Sequence, residues 1–294
     1  MRFKKEVSAV VVAYYSGDIL FRAIDALLVA KNVVEVIVVN NGNPKDTTSK
    51  LLQDKRIKLI TGQNNVGFAK ACNLGAKVAK SDILLIINPD SIVGVDDIVN
   101  LLNEAENLSS GWMITPCLVG DDGLPQRGSI RRLLTPWLML VEGLRLYKLA
   151  PNHPYFKKLN LHDSQLPLIT SEIEAMSGAF MMLPRDDYMA MGGIDERYFL
   201  HVEDLDFCYN WRKKGNKIYF CPKIRVYHKG GTSDVSKICV EAHKARSFLR
   251  YIHKNFRGVY PLPILWFADL LAIAKFGVFL MRFSILKVKG LLKG

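Results

Sequence analysis

The sequence predicts an α/β fold: a central, mostly parallel sheet with flanking helices, followed by a basic, apolar helical tail. Three observations carry this expectation. Continuous apolar, β-branched runs recur where a half-exposed strand would alternate with polar residues, as strands buried on both faces do. These runs alternate with segments of helical spacing in the order βαβαβ, the pattern of a doubly wound sheet. Beyond position 237 the chain changes character and combines cations with long apolar stretches.

The first run, 7–13 (VSAVVVA), reads as a buried parallel strand. Tyr14-Tyr15-Ser16-Gly17-Asp18 then turns into a helix with Leu20, Phe21, Ile24, Leu27 and Leu28 on one face. A strand over 35–39 ends in Asn40-Asn41-Gly42-Asn43-Pro44, and a short helix and a strand over 57–61 follow. Ligands of such sheets lie beyond the carboxyl ends of the strands. Tyr14 is thus placed to pack against a base, and Asn40 or Asn41 to hydrogen-bond base or ribose, although Asn-Gly is also ordinary turn chemistry. A dinucleotide-binding dehydrogenase would share this opening but needs Gly-x-Gly-x-x-Gly after the first strand. The single glycine there, Gly17, argues against that class.

Asn64-Asn65-Val66-Gly67-Phe68-Ala69-Lys70-Ala71-Cys72-Asn73-Leu74-Gly75 follows. Gly67 opens a helix whose amides would face a diphosphate, and Lys70 and Asn73, three apart, share one face from which they could reach the same ligand. The small residues Gly67, Ala69, Ala71 and Gly75 equally suit close helix packing. A buried strand over 82–87 ends in Asn88-Pro89-Asp90, which sets a carboxylate where a divalent cation could bridge two phosphates. A covering helix over 95–108, a strand over 113–119 and a Gly120-Asp121-Asp122-Gly123 turn come next. From 129 to 171 periodicity is lost, and a loop of that length reads as a binding segment or lid that is partly mobile. A strand over 173–183 contains Ser177-Gly178-Ala179, a place for close backbone approach.

The stretch 192–207 concentrates acid. After Gly192-Gly193 and an apolar, aromatic run, Glu203, Asp204 and Asp206 fall within four residues. Phe207 and Trp211 then mark a helix that ends in Arg212-Lys213-Lys214-Gly215. The acids therefore sit at a helix N-terminus, where the macrodipole favours ionisation while burial and like charges oppose it, so one of them can serve as a base at neutral pH. Capping and charge complementation of the helix is the competing role. Strands over 217–221 and at Val226-Tyr227-His228 complete the region.

At 294 residues and 49% hydrophobic content the chain can bury a large core. Its five cysteines lack CxxC pairing, so neither a zinc site nor a disulfide framework is expected, as suits a reducing cytosol. Residues 1–6 lack an apolar signal core. From 237 onward, eleven Lys/Arg against two acids hold nine of the twelve excess positive charges. The accompanying Trp, Phe, Leu and Ile favour an anionic membrane over nucleic acid as partner. The longest charge-free run, 258–268, is shorter than the about 20 residues that span a bilayer. Lys275, Arg282 and Lys289 recur every seven residues, with Trp266, Phe267, Phe276, Phe279, Met281 and Phe283 around the rest, which predicts an interfacial rather than a crossing helix. A helix packed on the catalytic domain, or on a second subunit of a homodimer, is the competing reading.

Four motifs in order, Asn65-x-Gly67-Phe68-Ala69 with Asn73 and Gly75, Asn88-Pro89-Asp90, Gly192-Gly193-Ile194-Asp195-Glu196 through Glu203-Asp204 and Asp206, and His228 with Gly231 and Ser233, resemble those of inverting nucleotide-sugar glycosyltransferases of family two. That family has a Rossmann-like A-type fold, and the match lies nearest its rhamnosyltransferase-like branch. The chain departs from the usual pattern at Asn40 (Asp), at Ile194 (Phe) and at Leu200-His201 (a more aromatic pair). The resemblance covers about residues 7–233. It implies a catalytic domain over 1–236, with a nucleotide-sugar half near 7–125 and an acceptor half over 126–236, ahead of the 237–294 tail. It assigns the base to Asp204 and a Mg²⁺ or Mn²⁺ ion to Asp90 and His228. Nucleotide-sugar contacts fall to Ala13, Tyr14, Asn40, Asn41, Asn65, Gly67, Lys70, Asn73, Asn88 and Asp90, acceptor contacts to Ser177, Gly178, Glu203, Trp211 and Arg212, and Asp206 remains structural. The implied reaction moves rhamnose from dTDP-rhamnose to a lipid-linked glycan in cell-surface polysaccharide synthesis, on the inner face of the cell membrane. A UDP-hexose donor and a catalytically silent membrane scaffold are the alternatives.

Overall fold

The computed structural model describes residues 4–162, 164–231 and 235–291, with side chains as far as 285. Thr232 and Ser233 of the last motif and the side chain of Lys289 lie outside the described residues. In chain order the elements are β1 (Val7–Ala13), α1 (Ile19–Val29), β2 (Val33–Asn40), α2 (Lys45–Leu51), β3 (Ile57–Ile60), α3 (Phe68–Val78), β4 (Ile83–Ile87), β5 (Ser91–Ile92), α4 (Asp97–Ala105), β6 (Trp112–Val119), β7 (Ile130–Arg131), α5 (Pro136–Gly143), α6 (Leu146–Leu149), β8 (Ser171–Ile173), β9 (Ala175–Met176), β10 (Phe180–Pro184), α7 (Arg185–Ala190), α8 (Glu203–Lys213), β11 (Lys217–His228), α9 (Lys237–Phe256) and α10 (Leu262–Leu291). They form two units. Met1–Leu133, Asn160–Phe199 and Glu203–Asp234 make the first, and Leu134–Leu159, Leu200–Val202 and Val235–Gly294 the second.

The first unit is built on a sheet of order β3-β2-β1-β4-β10-β6-β11-β5, with β8 also paired to β11. Strands β3, β2, β1 and β4 pair in parallel, as do β6 and β11, and β10 runs antiparallel between β4 and β6. The continuous apolar runs have the cause expected: every residue of β1 and β4 is buried. Helices α1 and α4 lay Leu20, Ile24, Leu27, Ile98, Leu101 and Leu102 onto this core.

Two expected elements change form. The strand over 173–183 divides into β8 (paired with β11), β9 (paired with β7) and β10, which is set off from β9 where Ser177-Gly178-Ala179 turns the chain and Asn88 donates its backbone N–H to Ala179 O at 3.0 Å. Conversely, 217–221 and 226–228 are one strand, β11, whose register against β6 shifts between Cys221 and Arg225. Part of the 129–171 loop is ordered as well. β7 pairs antiparallel with β9, Arg131 opposite Ala175, and α5 and α6 follow.

In the second unit α10 packs along α9 and against α5. His253 Nε2 of α9 meets Asp269 Oδ2 of α10 at 2.7 Å. The length argument against membrane crossing does not hold. Leu262–Ile285 is a continuous 24-residue helical stretch that contains an 18-residue window of mean hydropathy 2.0, 17% of it buried, so by length and composition it can cross a membrane. Counting only charge-free residues had cut it short, whereas Asp269 sits inside the helix and is paired.

Small residues of α3 do serve packing. A Cβ at Gly75 would stand 2.3 Å from Val10 Cγ1 on β1. We expect Gly75→Ala to lower stability by about 1–2 kcal/mol, since overpacking outweighs the ~1 kcal/mol helix-propensity gain of alanine. Urea unfolding tests this. The Gly75→Ala/Val10→Ala pair should lose less than the sum of its singles, and simple additivity would refute the contact.

Candidate active site

Gly192 and Gly193 have φ of 79° and 73°, a backbone region that favours glycine. Gly193 also leaves no room for a side chain, because a Cβ there would lie 2.3 Å from Asn73 Oδ1. That oxygen accepts hydrogen bonds from Tyr188 Oη and Ile194 N, while Asn73 Nδ2 donates to Ile194 O at 2.8 Å and Glu196 Oε1 at 3.1 Å. All the hydrogen-bonding capacity of Asn73 is spent within the protein. It ties α3 to the acid-bearing loop instead of facing a donor, which corrects the expected contact. Lys70, three residues away, is exposed. The start of α3 is engaged too: Phe68 N donates to Phe199 O at 2.8 Å and Gly67 N to Asn65 Oδ1 at 3.1 Å. These amides serve the fold before any phosphate.

The acids separate by environment. Asp206 is buried and accepts Tyr198 O–H at 3.1 Å, a structural role. Asp204 is held at three points. Its Oδ2 accepts Gly178 N–H at 3.0 Å and a short charge-assisted bond from Arg131 Nη2, and its Oδ1 accepts Leu205 N–H at 2.7 Å. Burial alone would raise its pKa, but the charge and hydrogen bond of Arg131 and the two amides outweigh that and hold the carboxyl below the usual range. Glu203 shows the opposite balance. Burial first, then the charge of Asp204, push its carboxyl up to about 8, and its Oε2 has no hydrogen-bond partner. One carboxylate is therefore ionised and its neighbour protonated at neutral pH, the division by which paired acids take different roles.

The other pole lies at the ends of β4 and β11. Asp90 Oδ1 and His228 Nε2 are 3.3 Å apart, and Asn88 Nδ2 is 3.2 Å from the same nitrogen. Gln126 clamps the histidine twice, donating Nε2–H to His228 O at 3.0 Å and accepting from Nδ1. With Nδ1 bearing the proton, the lone pair of Nε2 faces Asp90, as second-shell partners of metal-binding histidines arrange it. One carboxylate and one imidazole fit a Mg²⁺ or Mn²⁺ ion whose remaining shell comes from phosphate and water oxygens. Among the described residues no larger group of metal-ligating side chains gathers.

At the ends of β1 to β3, Ala13 is buried and the Tyr14 and Tyr15 rings meet edge-on with centroids 4.9 Å apart. Asn40 spends its side chain on its own turn, accepting from Asn43 N at 2.7 Å and from Gly42 N at 3.2 Å. Asn41 donates to Gly67 O at 3.1 Å but leaves Oδ1 buried and unpartnered, as are Gln63 Oε1 and Ser16 Oγ. Such orphaned polar atoms point to a polar ligand.

Two expected acceptor contacts fall elsewhere. Trp211 is fully buried against Phe207 and donates Nε1–H to Lys217 O at 3.0 Å. Arg212 binds Glu172 Oε1 at 2.9 Å and Ile173 O at 3.0 Å, nine residues along α8 from Glu203 and so about 13 Å up the helix. Gly178 lies against Asp204, while Ser177 N donates to Ser129 O at 3.0 Å and its Oγ accepts from Ala179 N at 3.2 Å. Arg131, Gln126, Gln63 and Ser16 were missed. The Arg131-Arg132 pair was visible, but nothing local to it indicated a buried partner.

The model of the family described as Glycosyl transferase family 2 matches residues 8–163. The N-acetylglucosaminyl-diphospho-decaprenol L-rhamnosyltransferase of Mycobacterium tuberculosis is 24% identical over 279 residues, 87% of each chain. The rhamnosyltransferase WbbL of Escherichia coli is 22% identical over 67% of this chain and 83% of its own. Among solved structures, the mannosyltransferase PcManGT of Pyrobaculum calidifontis, in complex with GDP-Man and Mn²⁺, superposes with a TM-score of 0.58 at 14% identity, covering 98% of this chain and 83% of that one.

The acid pair and the Gln126 clamp each make a prediction. The folded value of Glu203, near 8, exceeds its ordinary 4.5. As pH rises the unfolded chain therefore loses this proton first, and stability falls between those values. The melting temperature of Glu203→Gln relative to wild type should climb from about pH 5 to about pH 8 and then level; a pH-independent difference would mean that Glu203 is ionised when folded. Gln126→Leu should weaken Mn²⁺ binding about tenfold by calorimetry and remove the Nδ1–H tautomer from ¹⁵N spectra of His228. Unchanged spectra and affinity would dismiss the clamp.

Proposed function

The chain belongs to glycosyl transferase family 2, and from that membership we propose that it transfers L-rhamnose from dTDP-rhamnose, with inversion, to a hydroxyl of a lipid-linked glycan in cell-surface polysaccharide synthesis. The observation that carries the mechanism is the Asp204 carboxylate fixed by Arg131 and by the Gly178 and Leu205 amides, next to a Glu203 whose burial favours its protonated form. Asp204 takes the proton of the acceptor hydroxyl as that oxygen attacks the anomeric carbon. The bond from that carbon to the diphosphate oxygen breaks, and its electron pair leaves on the nucleoside diphosphate. Glu203, being neutral, adds no second negative charge beside the attacking oxygen and can donate a hydrogen bond to the acceptor. Asp90 and His228, the latter oriented by Gln126, would hold a divalent cation, which when bound neutralises charge on the diphosphate. Asn41, Gln63, Ser16 and Tyr14 receive the nucleoside. The rhamnosyltransferases of similar sequence support the sugar, and the decaprenol-linked acceptor in the name of one of them supports the acceptor class. α9 and α10, cationic and apolar, associate the enzyme with the inner face of an anionic membrane.

The test is nucleoside diphosphate release from a panel including dTDP-rhamnose, UDP-glucose and GDP-mannose, with Mg²⁺ or Mn²⁺ and a polyprenyl-diphosphate glycan. dTDP-rhamnose should turn over fastest, and Asp204→Asn should lose about 10²–10⁴-fold in kcat. An Asp204→Asn enzyme as active as wild type would dismiss the base. Preference for UDP-glucose would replace the donor but keep the mechanism, and silence with every donor would favour a binding scaffold.

A further inference from the structure

Two stretches distant in sequence, Leu134–Leu159 and Val235–Gly294, share one unit. Within it α5 lies so close to α10 that a Cβ added at Gly143 would stand 2.9 Å from Leu271 Cδ1. Leu138 and Val141 are buried on α5, yet Trp137, Leu144, Leu149 and Tyr155 stay exposed, Leu149 at 79% and Tyr155 at 69%. On α10 of the same unit Trp266, Leu270 and Ile273 are exposed as well. Apolar exposure on this scale marks a surface that something covers.

Charge selects the cover. Arg145, Lys148 and Lys157 are exposed on the insert. Its one acid, Glu142, is occupied in accepting Leu159 N–H at 2.6 Å, which closes the insert on itself. Protein interfaces are depleted in lysine, whereas lysine and arginine beside exposed leucine and aromatic rings match an anionic headgroup layer over hydrocarbon. Trp137 fits that boundary. Its Nε1–H is already bonded to Tyr155 O at 3.0 Å, and its ring lies 6.3 Å from Phe156, so an apolar body is exposed with its polar group satisfied.

We propose that Leu134–Leu159 is a second membrane-contacting element. It places Trp137, Leu144 and Leu149 at the headgroup boundary of an anionic bilayer and its cations on the lipid phosphates, alongside α10. This rests on the membrane reading of the tail, and the experiment separates the two. Full-length protein is floated with phosphatidylcholine vesicles with and without phosphatidylglycerol, comparing wild type, Leu144→Glu/Leu149→Glu, Lys148→Ala/Lys157→Ala and, in the tail, Trp266→Glu/Leu270→Glu. Each insert variant should bind phosphatidylglycerol vesicles about tenfold more weakly than wild type, as expected from losing headgroup charge or inserted apolar surface. Independently of whether the leucine variant folds, brominated lipid should quench wild-type fluorescence more than that of Trp137→Phe. Insert variants that bind like wild type while the tail variant detaches, together with equal quenching in Trp137→Phe, would overturn the insert and leave the tail. A wild type that binds no vesicle overturns both.

Discussion

The chemistry of the molecule depends on one buried ion pair. Arg131, brought in by the two-residue ribbon of β7 and β9, grips Asp204 and donates a second bond to Met176 O at 2.7 Å. A lone carboxylate at this depth would protonate to escape the cost of desolvation. Paired, and bonded to Gly178 N–H, it stays ionised. Removing one partner of such a pair costs about 3–5 kcal/mol, because the other charge is left stranded. Burial is the first cause that raises the pKa of Glu203, and the anionic Asp204 beside it adds to the shift while Arg131 opposes it.

The turn that supplies Gly178 connects the two poles of the site. Ala179 O accepts Asn88 N–H at the end of β4, while Gly178 N–H reaches Asp204. A Cβ on Gly178 would come within 3.3 Å of Asp204 Cβ, so the backbone approaches the acid closely. Between the metal-side residues and the acid there is thus only one short turn. On the opposite side, Asn73 and Phe68 fasten α3 to the acid-bearing loop through Ile194 and Phe199. A motif that reads as ligand-binding is in large part the joint that keeps the loop in place.

The second unit follows a different logic. Its helices bury only part of their apolar surface among themselves, leaving Trp266, Leu270 and Ile273 exposed, and its cations outnumber its acids. The lone acid within α10, Asp269, is paired with His253, which lessens the cost of placing a carboxylate in an apolar helix. Just ahead of Glu203, the corner Leu200–Val202 belongs to this unit, and Ser247 Oγ of α9 donates to Leu200 O at 3.2 Å. His201 and Val202 there have φ of 68° and 72°. For a β-branched valine this conformation costs about 1–3 kcal/mol and persists only where its surroundings impose it.

The sequence by itself determined the strands, the order of the motifs and the acids at the head of α8. Each of these is a local property: β-branched runs make buried strands, helical spacing makes amphipathic helices, and glycine permits Gly192 and Gly193 their backbone. Asp90 and His228 were also legible together, through a motif resemblance rather than through spacing. Only the tertiary structure decided partners. Arg131 and Asp204 are 73 residues apart and Gln126 and His228 102 apart, and nothing near either member announces the other. Trp211 and Asn73 carry side chains suited to ligands, yet the fold had already filled their contacts. The membership of Leu134–Leu159 in the tail unit was hidden for the same reason. Periodicity reports that a face is buried or exposed, whereas desolvation and hydrogen-bond saturation depend on which distant residues the fold sets against it.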